Sequence, residues 1–218
     1  MVESDGGRIA LWHHDFPAGL IAGQVSTRTL DDAVRQAHAL TEAGLAVHVQ
    51  FSASDAEVLA LRRIAHAARP WSVDVHLTDV AQVDEVAELA KEALAVRPRR
   101  IMIPWSGFTP PVVRMVRGAD VRACVAVWDE WDGMGWPAHW ATDPDGVLVM
   151  LSEPGAPERC RIRHIAVVSA TTRSHPAIPV IVAGGITESI ARLCRSAGAR
   201  EIVVGRALHA TANGHAQR

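Results

Sequence analysis

The sequence is short of lysine, of cysteine and of net charge, and each shortage removes a class of function. Lys91 is the only lysine among 22 basic residues. A Schiff-base aldolase needs a lysine at the end of a strand, and Lys91 falls inside a predicted helix. The three cysteines, Cys124, Cys160 and Cys194, are odd in number and widely spaced, which argues against a disulfide framework and a thiolate zinc cluster. Cys124 sits in mid-strand, Cys194 on the apolar face of a helix, and Cys160 has no evident partner, so thiol catalysis is not expected. No apolar run approaches the roughly 18 residues of a membrane span. The N-terminus carries no signal-peptide pattern, and a cytoplasmic, soluble protein is expected. A formal charge of −2 gives no electrostatic footprint for nucleic acid or an acidic membrane. Without linkers, repeats or low-complexity runs, residues 1–218 read as one domain, with a polar tail from about Asn213 expected to fray.

What the chain does have is hydrophobic residues, 49% of the total, set out in repeating units. The clearest unit runs from Ile178 to Arg206. Val180 to Ala183 is an apolar run ended by Gly184 and Gly185; Ile186, Ile190, Leu193, Cys194 and Ala197 follow helical spacing; Gly198 closes the helix and Glu201 to Val204 make the next strand. Continuous apolar strands separated by one amphipathic helix imply parallel neighbours covered on both faces. Upstream, strands are predicted at Ile9–His13, Leu45–Phe51, Ser72–Leu77, Arg100–Ile103, Val121–Trp128 and Gly146–Leu151. Helices are predicted over Thr29–Ala43, over about Asp55–Ala68 with Ser54 or Asp55 as N-cap, from Asp79, and after Pro110 and Pro111. Eight strands with about eight helices in this length predict a (β/α)8 TIM barrel of the ribulose-phosphate-binding type. An open doubly wound sheet is the other arrangement the pattern allows.

In a barrel the active site lies at the C-terminal ends of the strands. Those ends carry His13 and His14, His48 and Gln50, Asp74 and His76, Trp105, Trp128 and Asp129, Met150 and Glu153, Ala183 and Arg206. Side chains alternate along a strand, so His48 and Gln50 share one face, as do Asp74 and His76, and the two histidines can meet in one cavity. Gly184, Gly185 and Gly205 close two successive strands, where backbone N–H groups can gather around an anion.

Val73-Asp-Val-His-Leu77, Gly146-Val-Leu-Val-Met-Leu-Ser-Glu-Pro-Gly155 and the Ala-Gly-Gly and Val-Val-Gly turns resemble the ribulose-phosphate 3-epimerase family, in order and spacing along nearly the whole chain. Ala10 to Phe16 is similar to the family's first-strand segment. The resemblance implies a (β/α)8 barrel that moves a proton next to a ketose phosphate carbonyl, with two Asp as acid and base, and two His and the same Asp holding a divalent metal. His48 and His76 fall on the family's metal-binding histidines. Gln50 and Ala183 stand where its two Asp belong, and neither can shuttle a proton near neutral pH. Ala10 replaces a polar serine, the loop after the second strand shrinks to Ser52-Ala-Ser54, and the phosphate loop is altered to Ala156-Pro-Glu-Arg159. Two neutral imidazoles are a poor divalent-metal site, so no cofactor is expected; His48 and His76 are the residues that would hold a weakly bound metal. The single lysine also rules out the Asp-x-Lys-x-x-Asp pattern of orotidine-phosphate-decarboxylase relatives.

The expected function is a divergent epimerase or isomerase acting on a sugar phosphate or related polyol. His48 and His76 are its acid/base pair, and Gln50, Trp128, Met150, Glu153, Gly184, Gly185, Gly205 and Arg206 are its substrate contacts. Imidazole titrates near working pH, which suits that pair. Glu153 matches a non-catalytic family residue, Asp74 is expected to satisfy a hydrogen bond beneath the site, and Arg206 is a candidate two-point clamp for an anion. Two other readings stay open: a non-catalytic sugar-phosphate-binding protein, and a lyase or cyclase of secondary metabolism. The second rests on Trp128–Trp140, which holds four of the seven tryptophans and either reaches over the mouth or packs a short helix or a dimer interface. Homo-oligomerisation is expected from the family resemblance.

Overall fold

The predicted alternation closes into a ring of eight parallel strands in chain order. A computed structural model describes residues 12, 16–17, 19–25, 29–52, 54–68, 72–78, 83–140, 142–153 and 160–209. The strands are β1 (Ile21–Gln24), β2 (Ala46–Phe51), β3 (Val73–Leu77), β4 (Arg100–Pro104), β5 (Arg122–Val127), β6 (Val147–Met150), β7 (Val180–Ala183) and β8 (Glu201–Val204). The helices are α1 (Leu30–Glu42), α2 (Asp55–Ala67), α3 (Val83–Leu94), α4 (Pro110–Gly118), α5 (Arg163–Ser174), α6 (Glu188–Ser196) and the short α7 (Arg206–His209), with one 3₁₀ turn at Trp105–Gly107. Local chemistry starts the helices: the Thr29, Ser54 and Thr187 side chains accept from the backbone N–H of Asp32, Glu57 and Ile190. Pro110 and Pro111 open α4, where a missing N–H costs nothing.

One expected element is corrected, and one connection departs from the ordinary barrel pattern. The first strand is Ile21–Gln24, not Ile9–His13: Ala22 pairs with Ala46 of β2 and with Val203 of β8. The Trp12 carbonyl instead accepts from the Phe16 N–H at 3.1 Å, one helical turn away, and the two rings stack at 5.3 Å. The rest of Ile9–His13, and His14, lie outside the described residues, as do residues 79–82 and 154–159. The true strand is short and holds a glycine, which weakens its apolar signal. That glycine answers to packing, because a Cβ on Gly23 would lie 2.2 Å from Leu40 Cδ2 of α1.

The departure is the arc between β5 and β6, where a barrel ordinarily has a helix and the sequence reads as a Trp-rich connection. Among the described residues this connection contains none. The Trp-rich segment covers the strands instead. Trp131 and Trp136 stack at 4.4 Å, Trp140 lies 4.5 Å from Phe108 and 4.6 Å from Trp105, and Trp136 stacks on His175 at 4.3 Å. Gly133 presses on α5: its φ is +89°, and a Cβ there would come 2.8 Å from the Val167 carbonyl and 3.0 Å from the Thr171 N–H. Large indoles do by bulk what a helix does by its apolar stripe.

The apolar core has two layers. An outer layer fills the space between strands and covering elements, and an inner one, including Ala22, Met102, Cys124, Leu148, Met150, Ile181, Ala183 and Val203, fills the barrel. At the N-terminal end the inner layer gives way to charge. Asp74 of β3 accepts from Arg99 at 2.5 and 2.8 Å and from Arg100 at 2.7 Å. Glu201 of β8 accepts from Arg99 at 3.0 Å and pairs with Arg100 as well. In an eight-stranded ring β4 and β8 face each other, so the Arg100–Glu201 pair crosses the barrel.

Candidate functional site

The inner face of the ring is assembled by alternation. In β2 and β3, His48 aligns with Asp74 and Gln50 with His76, so one face of each strand turns a polar pair inward. Both imidazoles are buried, His48 to 1% exposure and His76 to 3%, and their ring centroids lie 5.8 Å apart. The Nδ1 atom of each is buried and meets no hydrogen-bond partner among the described residues. Buried polar atoms are nearly always paired, so two adjacent exceptions in a barrel interior mark a place built for something other than stability.

Burial disfavours the charged imidazolium, and nearby positive charge adds to this. His48 is pushed down to about 4, by desolvation against the partial support of Asp74. His76 is pushed down to about 3, by desolvation and by His48. Both rings are therefore neutral near pH 7, able to accept a proton but not to donate one as imidazolium. Beneath them, burial opposes ionisation of Asp74, but the Arg99 hydrogen bond and the Arg100 and Arg99 charges outweigh it and hold its carboxyl below the usual range. Glu201 is shifted the other way, with burial the largest cause. Asp74 thus lies in an ion-pair network below the histidines, in a hydrogen-bonding role.

Around the mouth, Gln50 ends β2 half-buried, and Met150 and Ala183 end β6 and β7 buried. Gly184 and Gly185 follow β7 with φ of +98° and +61°. At Gly184 a Cβ would lie 2.5 Å from Ser152 Oγ and 2.6 Å from Ser152 N, so the turn after β7 rests on the chain leaving β6 and glycine is required there. Gly205 follows β8 against the Gln24 side chain, whose Oε1 would be 3.3 Å from an added Cβ. Glu153 and Arg206 are exposed, Arg206 on the first turn of α7. The corrected first strand adds Gln24 to the mouth, and the β6–β7 contact adds Ser152.

Of the four clustered tryptophans, Trp128 alone packs against the inner layer; Trp131, Trp136 and Trp140 belong to the outer wall. Trp128 is held on two sides. The buried His164 ring meets it edge-on at 4.3 Å, and the Arg161 guanidinium lies 4.7 Å from its ring centroid. His164 is fixed in turn, with Nδ1 2.8 Å from the Met150 carbonyl and Nε2 2.8 Å from Asp129 Oδ1. Asp129 also accepts from Arg163 Nη2 at 2.9 Å through both oxygens. The His164 hydrogen bond, with the Arg163 charge, holds its carboxyl below the usual range. Sequence reasoning found Trp128 and Asp129 but not His164 or Arg161. These stand in and just before α5 and meet their partners only through folding, so no local spacing announces them.

A divalent metal of the kind the family resemblance implies does not fit these residues. His48 and His76 supply two nitrogens, Gln50 offers only an amide, Ala183 offers nothing, and among the described residues no group of three His, Cys, Asp or Glu is placed to hold a metal.

No family model matches the chain, and no curated protein does. Solved structures match over nearly the whole fold. An N-acetylmannosamine-6-phosphate 2-epimerase from Clostridium perfringens is 17% identical, with 87% of each chain covered and a TM-score of 0.58. A phosphoribosyl anthranilate isomerase from Thermus thermophilus is 19% identical over 86% of this chain and 87% of that one, with a TM-score of 0.56. A tryptophan synthase α-subunit from Pyrococcus furiosus is 15% identical over 87% of each chain, with a TM-score of 0.61. At these identities the likeness establishes the barrel fold.

Proposed function

We propose that the protein is a divergent sugar-phosphate epimerase or isomerase that moves a proton at a carbon next to a carbonyl, with His48 and His76 handling the proton. The observation that carries this reading is the pair of buried, neutral imidazoles with unpartnered Nδ1 atoms at the centre of a barrel. A neutral imidazole can take the proton from carbon, leaving the electron pair in an enediolate, and return it to either face or to the neighbouring carbon. Backbone N–H groups of the turns at Gly184, Gly185 and Gly205 would hold the phosphate, and the exposed Arg206 is in place to add charge at the rim. The amides of Gln24 and Gln50 would hydrogen-bond substrate oxygens, while Trp128 and Met150 form apolar walls. Sugar-phosphate epimerase and phosphoribosyl isomerase names among the structural neighbours support the reading at the level of fold.

A second reading has its own observation. Imidazoles lowered to about 4 and about 3 are weak bases, and the β2 and β7 ends carry Gln50 and Ala183 instead of carboxylates. A protein that binds a sugar phosphate without turning it over has this profile. NMR of ribulose 5-phosphate in heavy water separates the two. Deuterium entering next to the carbonyl, abolished in His76→Ala and His48→Ala variants of normal fold, is the expected result. Saturable stabilisation by the same compound without exchange would leave the binding reading in its place.

A further inference from the structure

We propose that the reaction is an isomerisation and not an epimerisation: His48 and His76 act from one side of a ketose phosphate, the proton moves from the hydroxymethyl carbon to the carbonyl carbon, and the product is an aldose phosphate. This inference rests on the proton-transfer reading above and specifies its reaction class.

Epimerisation inverts one carbon, and the direct route places one proton carrier on each of its faces. Near-attack distances of about 3 to 3.5 Å on each side would set two such nitrogens roughly 6 to 7 Å apart, with their ring centres farther still. The His48 and His76 ring centroids are only 5.8 Å apart, tilted at 52°. That is the spacing of rings in mutual contact, and no carbon fits between them. The two come from adjacent strands, β2 and β3, and so meet a ligand from the same side. Across the ring stand β6 and β7, whose ends carry the buried Met150 and Ala183. A thioether and a methyl group cannot shuttle a proton near neutral pH. Cys124 of β5 lies low in the barrel, 3.0 Å from where a Cβ on Gly146 would sit at the entry to β6, and burial pushes its thiol up to about 12. Asp129 is engaged by His164 and Arg163, and Glu153 is exposed beyond the end of β6. Among the described residues, that half of the cavity therefore offers no second proton carrier.

The adjacent pair suits a shift between neighbouring carbons. One neutral imidazole takes the proton from the hydroxymethyl carbon; the C–H pair becomes the double bond of an enediol as the carbonyl π pair moves onto oxygen. The other ring, also neutral, gives its N–H proton to that oxygen and recovers one from the neighbouring hydroxyl. As the O–H pair closes the new carbonyl, the double-bond pair takes the first proton back at the former carbonyl carbon. Both rings end as they began, and no oxidant or reductant is consumed.

The test follows ribulose 5-phosphate and fructose 6-phosphate with the full chain by NMR in heavy water. The expected product is the aldose phosphate, with deuterium in only one of the two positions of the ketose hydroxymethyl group. The epimer at the other neighbour of the carbonyl should form at least tenfold more slowly. In ordinary water, ketose labelled with deuterium at that hydroxymethyl position should carry part of its label onto the adjacent carbon, as one ring ferrying the proton requires. His48→Gln and His76→Gln should each slow aldose formation about a hundredfold or more; the position and handedness of exchange in the unaltered protein stand even if a variant fails to fold. Epimer formed as fast as aldose, or exchange at both hydroxymethyl positions, would overturn one-sided transfer and leave the proton-transfer reading intact. Exchange at neither neighbour of the carbonyl, in either compound, would overturn that reading and this inference together.

Discussion

At the scale of single residues, the decisive fact is that two imidazoles are kept uncharged at a place where most side chains are apolar. Their titration couples to folding. Each has a folded value, about 4 for His48 and about 3 for His76, below the ordinary 6.5, so below pH 6.5 the unfolded chain binds protons that the folded chain refuses. The stability this provides is complete above pH 6.5 and is lost as pH falls towards the folded values. At about 1.4 kcal/mol per pH unit for each ring, the loss between pH 6.5 and pH 5 is roughly 2 kcal/mol per histidine. Urea unfolding at pH 7.5 and pH 5 should show this loss, and His76→Asn, which cannot charge, should remove about half of it. Equal slopes in the variant and the unaltered protein would mean that His76 titrates normally. The histidines themselves were legible in the sequence, because β-strand alternation alone puts His48 with Gln50 and Asp74 with His76. Their neutrality was not, since it comes from burial by residues on other strands.

At the scale of elements, the arc between β5 and β6 is the departure that matters. The sequence announced it by tryptophan content and left open whether it was mouth or packing; three of the four rings turn out to be wall. The described residues of this connection form no helix, and the indoles supply the missing apolar surface. Gly133 fixes how closely this wall sits on α5. Gly133→Ala must adopt a left-handed φ and push against the backbone of Val167 and Thr171. It should therefore lose about 2 kcal/mol or more, read as a lower denaturant midpoint in tryptophan fluorescence. An unchanged midpoint would show that the segment shifts freely. The misplaced first strand has a related cause. Gly23 weakens the apolar signal of Ile21–Gln24, and its place in the strand makes sense only once Leu40 of α1 is seen to need the space.

At the scale of the whole molecule, the barrel has two unlike ends. Strand order, the glycine turns and the C-terminal position of the mouth follow from the repeating pattern of the sequence. The charged layer at the other end does not: Asp74 was legible as a hydrogen-bonding residue beneath the site, but its network partners, the adjacent Arg99 and Arg100 and the distant Glu201, meet it only through folding. Asp74 is fully buried and holds two guanidinium groups. Asp74→Ala should therefore cost about 3 to 5 kcal/mol, as expected when one partner of a buried ionic network is removed. Lys91→Ala breaks the exposed pair with Glu88 and should leave the unfolding midpoint in place. Similar midpoints for the two variants would mean that water reaches the network.

The ion pairs that span the ring from β4 to β8 make the barrel a cup and not a tube. Whatever binds above His48 and His76 must enter and leave by the same opening. A spent ligand still held on the glycine turns would then stand in the path of the next one, and the rate at which it lets go, more than the speed of any proton transfer, would set the pace of the cycle.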